Sequence, residues 1–224
     1  MAINATAYKK LSKEVGTKNV QIVAVSKTKP NKDIIDLYNL GQRDFGENYV
    51  QELVEKYETL KELDIKWHFV GHLQTNKVKF IAPFVHLIQS VDSLKLLQEI
   101  DKQALKSERI IDCLLQIFIA KEETKFGLDV NELTDIINEV NFGNLPNVNI
   151  IGLMGMASLT ENEDTVKKEF KTLKTYAKKY SQLSILSMGM SQDYKIAIEE
   201  GSNMLRMGSL LFGARAKKEI EENV

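Results

Sequence analysis

One cysteine, three prolines and one tryptophan in 224 residues set the first limits on this chain. A single cysteine, Cys113, excludes an internal disulfide, and its place in the apolar run Ile110 to Ala120 predicts a buried structural thiol. Pro30, Pro83 and Pro146 fit element boundaries, and no Pro/Ser-rich linker, low-complexity tract or composition shift divides the chain. Residues 1–224 therefore read as one domain. Charge of one sign is also lacking. Thirty basic and 31 acidic side chains give a formal charge of −1, which points to neither a nucleic-acid nor a membrane partner. The N-terminus MAINATAYKK lacks the apolar segment of a secretory signal, and no apolar run is long enough to span a bilayer. A cytoplasmic location is expected. The dinucleotide fingerprint G-x-G-x-x-G is missing after the first apolar strand, where the chain reads Lys27-Thr28-Lys29-Pro30.

What is present is ample core material, with 43% hydrophobic and 27% charged residues. Short apolar runs alternate with longer amphipathic ones. Strands are predicted at Val20 to Ser26, Arg43 to Phe45, Lys66 to Val70, Val85 to Ser90, Ile110 to Ile119, Val148 to Met156, Ser184 to Ser187 and Met204 to Met207. Helices are predicted between them, among them Asn31 to Leu40, Glu47 to Leu63, Thr75 to Ala82, Asn162 to Tyr180 and one capped by Ser93 that runs to Lys106. A leading helix covers about Ala5 to Val15, and a last one begins near Leu210. Strict alternation implies right-handed βαβ units and a parallel sheet. Eight repeats favour a closed (β/α)8 barrel, with an open doubly wound sheet as the alternative.

A barrel presents its working residues at the C-terminal ends of its strands. Those positions hold Lys27, then Glu47 and Asn48, then His72, Gln74 and Lys77, then Asp92 and Ser93, then Met156 to Ser158. A lysine becomes a nucleophile when it gives up a proton, from an ordinary pKa of about 10.4. Desolvation at a barrel mouth and the neighbouring Lys29 would favour that for Lys27; a solvated strand-end lysine is the plain alternative. The seventh loop, Ser187 to Asp193, and the eighth, Arg206 to Gly213, carry the stronger signal. Gly189 permits close backbone approach, and Ser191 suits a cap of the following helix. Gly208 and Ser209 place amides and a hydroxyl where a barrel holds phosphate. Tight turns would use the same glycines. Arg206 shares a strand face with Met204 and Gly208, and inside a barrel it needs an acceptor: a pyridine nitrogen, a phosphate, or a carboxylate such as Asp193. His68, His72 and His86 show no metal-ligand spacing, and Trp67 reads as packing.

The segments AVSKTKP (Ala24 to Pro30), FGENYVQE (Phe45 to Glu52), WHFVGHLQTNK (Trp67 to Lys77), GLMGMAS (Gly152 to Ser158), LSMGMSQD (Leu186 to Asp193) and RMGSLLFGAR (Arg206 to Arg215) resemble the pyridoxal phosphate homeostasis protein family, in order and over nearly the whole chain. The resemblance implies an α/β fold: a single (β/α)8 barrel of the type III class that binds pyridoxal 5′-phosphate (PLP), similar to the N-terminal domain of alanine racemase. It implies that Lys27 holds PLP as a Schiff base and that Arg206 faces the pyridine nitrogen. An arginine there leaves the nitrogen unprotonated and the ring a weaker electron sink. Ser191, Gly208 and Ser209 would hold the phosphate, and Asn48 and Met154 would line the pocket. Ser209 stands where threonine is common, Tyr194 where methionine is frequent, and His72 where proline is frequent; Gly155-Met156 replaces a more usual pair.

Alanine racemases add a β domain that supplies a tyrosine base. Here the last barrel helix is expected to run to the end of the chain, so a second base has no obvious source. The implied role is therefore a monomeric carrier or regulator of cellular PLP, not an enzyme. It would affect amino-acid and keto-acid metabolism by supplying PLP-dependent apo-enzymes. The alternatives are a weak PLP-dependent racemase or transaminase, a cofactor-free Schiff-base aldolase acting on a phosphorylated sugar, and a scaffold in which Lys27 has no chemical role. Whether Lys77 also takes the aldehyde is left open.

Overall fold

The computed structural model describes residues 3–120, 127–141 and 143–213. Eight strands pair in chain order and close into a barrel. They are β1 (Gln21–Val25), β2 (Asp44–Glu47), β3 (Lys66–Phe69), β4 (Leu87–Val91), β5 (Ile111–Ile117), β6 (Val148–Gly155), β7 (Ile185–Ser187) and β8 (Met204–Met207). All neighbours run parallel, and β8 returns to β1 with Val23 opposite Arg206. The closed barrel is thus the fold, and the open sheet is excluded. Before the first strand lies α1 (Ala5–Gly16). After the strands come α2 (Asn31–Asn39), α3 (Val50–Leu60), α4 (Val78–Ile81), α5 (Leu94–Lys106), α6 (Val130–Asn141), α7 (Glu163–Ala177), α8 (Tyr194–Glu199) and α9 (Ser209–Phe212). Ala214 and Arg215, which end the last motif, and the C-terminal segment beyond them lie outside the described residues.

Local chemistry explains the elements. Ser93 accepts the amide of Leu96 at 3.3 Å, so the expected cap of α5 is made. Asn162 caps α7 through the amide of Thr165. Val166, Phe170, Leu173 and Ala177 then form one buried stripe at helical spacing. Alternation along the strands divides the core into two shells. Outward side chains such as Ile22, Phe45, Trp67, Phe69, Ile88 and Leu115 join the helices in the main core. Cys113 lies there too, fully buried, and burial pushes its thiol pKa far up, as befits an inert structural residue. Inward Val23, Leu87, Leu114, Met154 and Met204 form a small cluster inside the barrel.

Two boundaries differ from the sequence pattern for physical reasons. β2 extends through Gly46 to Glu47, where the helix was expected to begin, and α3 starts only at Val50. Glu47 is fully buried, and the Lys56 ammonium sits 2.7 Å from its carboxylate. The helix after β3 is split into a 3-10 turn at Thr75–Lys77 and the four-residue α4.

Candidate functional site

The carboxyl ends of the strands surround a cavity of about 1050 Å³. Lys27, Asn48, Ser191, Arg206, Gly208 and Ser209 all line it. Six of the seven residues expected at the site therefore meet in one place. The exception is Met154, which is fully buried in the inner cluster; Met156, two residues further along the same strand face, forms the cavity wall. Lys77 lines a separate cavity of about 690 Å³ together with His72, Tyr49 and Phe80; Asn48 borders both cavities.

Lys27 is framed by a buried ionic network. Ser26 donates its hydroxyl to Glu47 at 2.6 Å, and Lys56 donates to Glu47, to Glu52 and to the Ser26 carbonyl at 2.7, 2.7 and 2.8 Å. The Thr28 amide donates to Glu52 at 2.6 Å, and Thr28 itself sits at a left-handed φ of 64°. The residues on both sides of Lys27 are thus pinned. Burial raises the pKa of Glu47 against the lowering pull of Lys56 and Ser26. Lys29 donates to the carbonyl of Phe212 at 2.8 Å, which ties this turn to the last helix. Glu47 stood among the polar strand ends, but nothing in the sequence marked Lys56 as its partner.

Arg206 is 5% exposed and has no direct carboxylate partner among the described residues. Asp193, weighed above as its ion-pair partner, instead accepts the amide of Met190 at 2.6 Å. The guanidinium donates to the carbonyl and hydroxyl of Ser187 at 2.7 and 2.8 Å and to the carbonyl of Gly155 at 3.0 Å. Burial pulls its pKa down to about 10, opposed by the charge of Asp193, so it stays cationic at neutral pH. Below it runs a chain of polar side chains. Ser187 donates to Gln89 Oε1 at 2.6 Å, and Gln89 Nε2 lies 3.0 Å from Nδ1 of His68. His68 Nε2 is 3.0 Å from Oδ1 of Asp44, which also accepts from Gln21 at 2.7 Å. An amide nitrogen only donates, so His68 accepts at Nδ1 and carries its proton on Nε2. The chain thus runs from a buried cation to a carboxylate with every donor pointing the same way. Ser187, Gln89 and His68 are all fully buried. Gln89 inside an apolar run was the one sequence signal for it; its partners come from other strands.

The loops after β7 and β8 are linked directly. Ser191 accepts the amide of Leu210 at 3.2 Å, so it serves α9 and not, as its position suggested, its own α8. The two loop glycines differ. A Cβ on Gly189, at φ +99°, would lie 2.6 Å from the Ala197 side chain, so turn and packing explain this residue without a ligand. A Cβ on Gly208 would meet nothing closer than 3.7 Å, and its φ is −109°. Neither the backbone nor its neighbours require glycine at 208; the free space faces the cavity. At the opposite wall Oδ1 of Asn48 is buried with no hydrogen-bond partner among the described residues. The Asn48 backbone is held by Gly71, where a Cβ would fall 2.2 Å from the Asn48 carbonyl oxygen. An orphaned acceptor, an open glycine, a lysine and a buried guanidinium suit a ligand with a hydrogen-bond donor, an anionic group and an electrophilic carbon.

Comparison with known proteins gives the same picture. The domain family "Alanine racemase, N-terminal domain" matches residues 4–216. A protein of Aquifex aeolicus named pyridoxal phosphate homeostasis protein is 41% identical over 205 residues, 89% of each chain. PipY of Synechococcus elongatus, solved with PLP bound, superposes with a TM-score of 0.82 at 34% identity over 92% of this chain and all of PipY. The alanine racemase of Clostridium difficile superposes at 0.78 with 15% identity; this chain covers 60% of its length, and the likeness concerns the fold alone.

Proposed function

This chain belongs to the pyridoxal phosphate homeostasis protein family, and on that premise we propose that it holds PLP as a Schiff base on Lys27 and serves as a carrier or regulator of the cellular cofactor pool. The observation that supports this most is the convergence of Lys27, Asn48, Ser191, Arg206, Gly208 and Ser209 from four strand ends on one cavity. When bound, PLP supplies an aldehyde for an amine and an electron-withdrawing ring. Lys27 and Lys29 both line the cavity; Lys29 is tied to the Phe212 carbonyl, and Lys27 is assigned as the amine, its neighbours pinned by the Glu47–Lys56 network. Arg206 has donors only, so a ring nitrogen facing it must accept and stay unprotonated. Ser191, the Ser209 hydroxyl and the open space at Gly208 are assigned to the phosphate, and Asn48 to a polar substituent of the ring.

The cavity-lining side chains among the described residues include no tyrosine and no histidine, so a second base for racemisation would have to come from Glu161, Glu163, Asp193 or Lys29; Lys29 is tied to the Phe212 carbonyl and Asp193 to the Met190 amide. We assign the protein to the cytoplasm as a monomer, with PLP-dependent apo-enzymes as recipients of the cofactor. Sedimentation of the purified chain tests the oligomeric state. The central test is the visible spectrum of the protein and of Lys27→Ala with added PLP, followed by borohydride reduction and peptide mapping. The expected result is a yellow protein with the pyridoxyl group on Lys27 and no such adduct in the variant. A protein that never takes up the aldehyde sinks the reading. A turnover of amino acids that vanishes in Lys27→Ala replaces the carrier with a slow racemase or transaminase.

A further inference from the structure

The end of the barrel opposite the cofactor cavity carries a cluster in which the last two members of the polar chain, His68 and Asp44, meet a second histidine. Asp44 opens β2, His68 lies on β3, and His86 immediately precedes β4. One ligand atom of each, two imidazole nitrogens and a carboxylate oxygen, lies within 4.8 Å of the other two. The three residues are far apart in sequence, and only the parallel register brings them together: Gly46 pairs with His68, and His68 with Leu87. The His68 and His86 rings meet edge to face at 5.5 Å between centroids.

We propose that Asp44, His68 and His86 form a binding site for a zinc-class divalent cation. Two neutral imidazoles and one carboxylate match the borderline donor preference of such ions. Imidazole and carboxylate donors sit about 2.0–2.1 Å from zinc, so tetrahedral ligand atoms lie nearer to each other than 4.8 Å. His86 is exposed and its ring has no hydrogen-bond partner among the described residues, so it is the ligand free to swing inward. His68 and Asp44 are already 3.0 Å apart, with side chains 1% and 15% exposed. Gln21 already supports Asp44, and Gln89 lies beside Nδ1 of His68, where a turned amide would support the ligating tautomer in exchange for its present bond from Ser187. With His68 ligating through Nε2, its proton moves to Nδ1, and Gln89 turns its oxygen to accept it. The surrounding charge is mixed, since Lys66 acts on both Asp44 and His86 while Asp112 acts on His86. A fourth position stays open to water on the exposed side. Bound there, the ion would clamp β2, β3 and the start of β4.

The site stands apart from the cofactor cavity, so its test does not depend on the PLP reading. The purified chain is stripped with a chelator, and zinc is titrated against a chromophoric competitor. Parallel titrations use His86→Ala and, as a control, His72→Ala, whose imidazole pairs with Asp92 in a separate exposed contact. The expected result is one zinc per chain, an affinity at least tenfold weaker in His86→Ala and unchanged in His72→Ala. Saturating zinc should also raise the melting temperature of the parent and of His72→Ala but not of His86→Ala. The proposal is overturned by the absence of saturable one-to-one binding, or by binding that survives His86→Ala.

Discussion

At the scale of the residue, the two loop glycines separate structural from functional demand. Gly189 has a positive φ and a crowded Cβ position, so Gly189→Ala should lower stability by about 1–3 kcal/mol, seen as a shift of the denaturation midpoint. Gly208 has neither constraint. Gly208→Ala should leave the midpoint within about 0.5 kcal/mol while weakening PLP binding by tenfold or more, as followed by absorbance. A midpoint loss as large as that of Gly189→Ala would show that packing, not ligand space, selects glycine at 208. Asp44 gives a pH signature. Burial opposes its ionisation, but His68, Lys66 and Gln21 outweigh it and hold the carboxyl below its ordinary range. A depressed acid contributes stability above the unfolded value of about 3.9, and that contribution is lost as pH falls through the lower folded value. Asp44→Asn should therefore flatten the acid limb of a stability–pH curve below about pH 4. An unchanged limb would remove Asp44 from the account.

At the scale of the element, the polar chain Arg206–Ser187–Gln89–His68 joins β8, β7, β4 and β3 through the middle of the barrel. In Gln89→Leu the Ser187 hydroxyl and Nδ1 of His68 lose their partner together, at about 1–3 kcal/mol each. Urea unfolding should show a loss on the order of 2–6 kcal/mol. The visible band of bound PLP should also shift, because Arg206 would rest on an altered Ser187. A destabilised variant with an unmoved band would make the chain purely structural. The boundaries show why elements are harder to read than residues. Glu47 looks like the first residue of a helix until Lys56, on the following α3, pairs with it within the barrel wall. Ser191 looks like a cap for α8 until the β7 and β8 loops are placed side by side and Leu210 claims it.

At the scale of the whole molecule, a ligand that binds only the folded barrel must stabilise it. PLP at about one hundred times its dissociation constant adds about 2.7 kcal/mol. For a chain of this size that is a rise of roughly 5–10 °C in melting temperature. Differential scanning calorimetry should show this rise in the parent protein and little of it in Lys27→Ala. Equal rises in both would detach Lys27 from binding.

The sequence by itself determined the eightfold alternation and the parallel sheet, because apolar periodicity and strand-to-helix order are local properties; closure into a barrel, which it favoured over an open sheet, was decided by the pairing of β8 with β1. It also placed six of the seven proposed site residues on one cavity, since a barrel gathers the ends of its strands on one face and the motifs fall at those ends. Met154 was the exception because inward positions two residues apart share a face, and only their depth tells wall from core. Tertiary structure alone decided the partners. Lys56 under Glu47, Gln89 and His68 behind Arg206, and His86 beside Asp44 pair residues that are distant in sequence, and hydrogen bonding of buried charge depends on distances that only strand register sets.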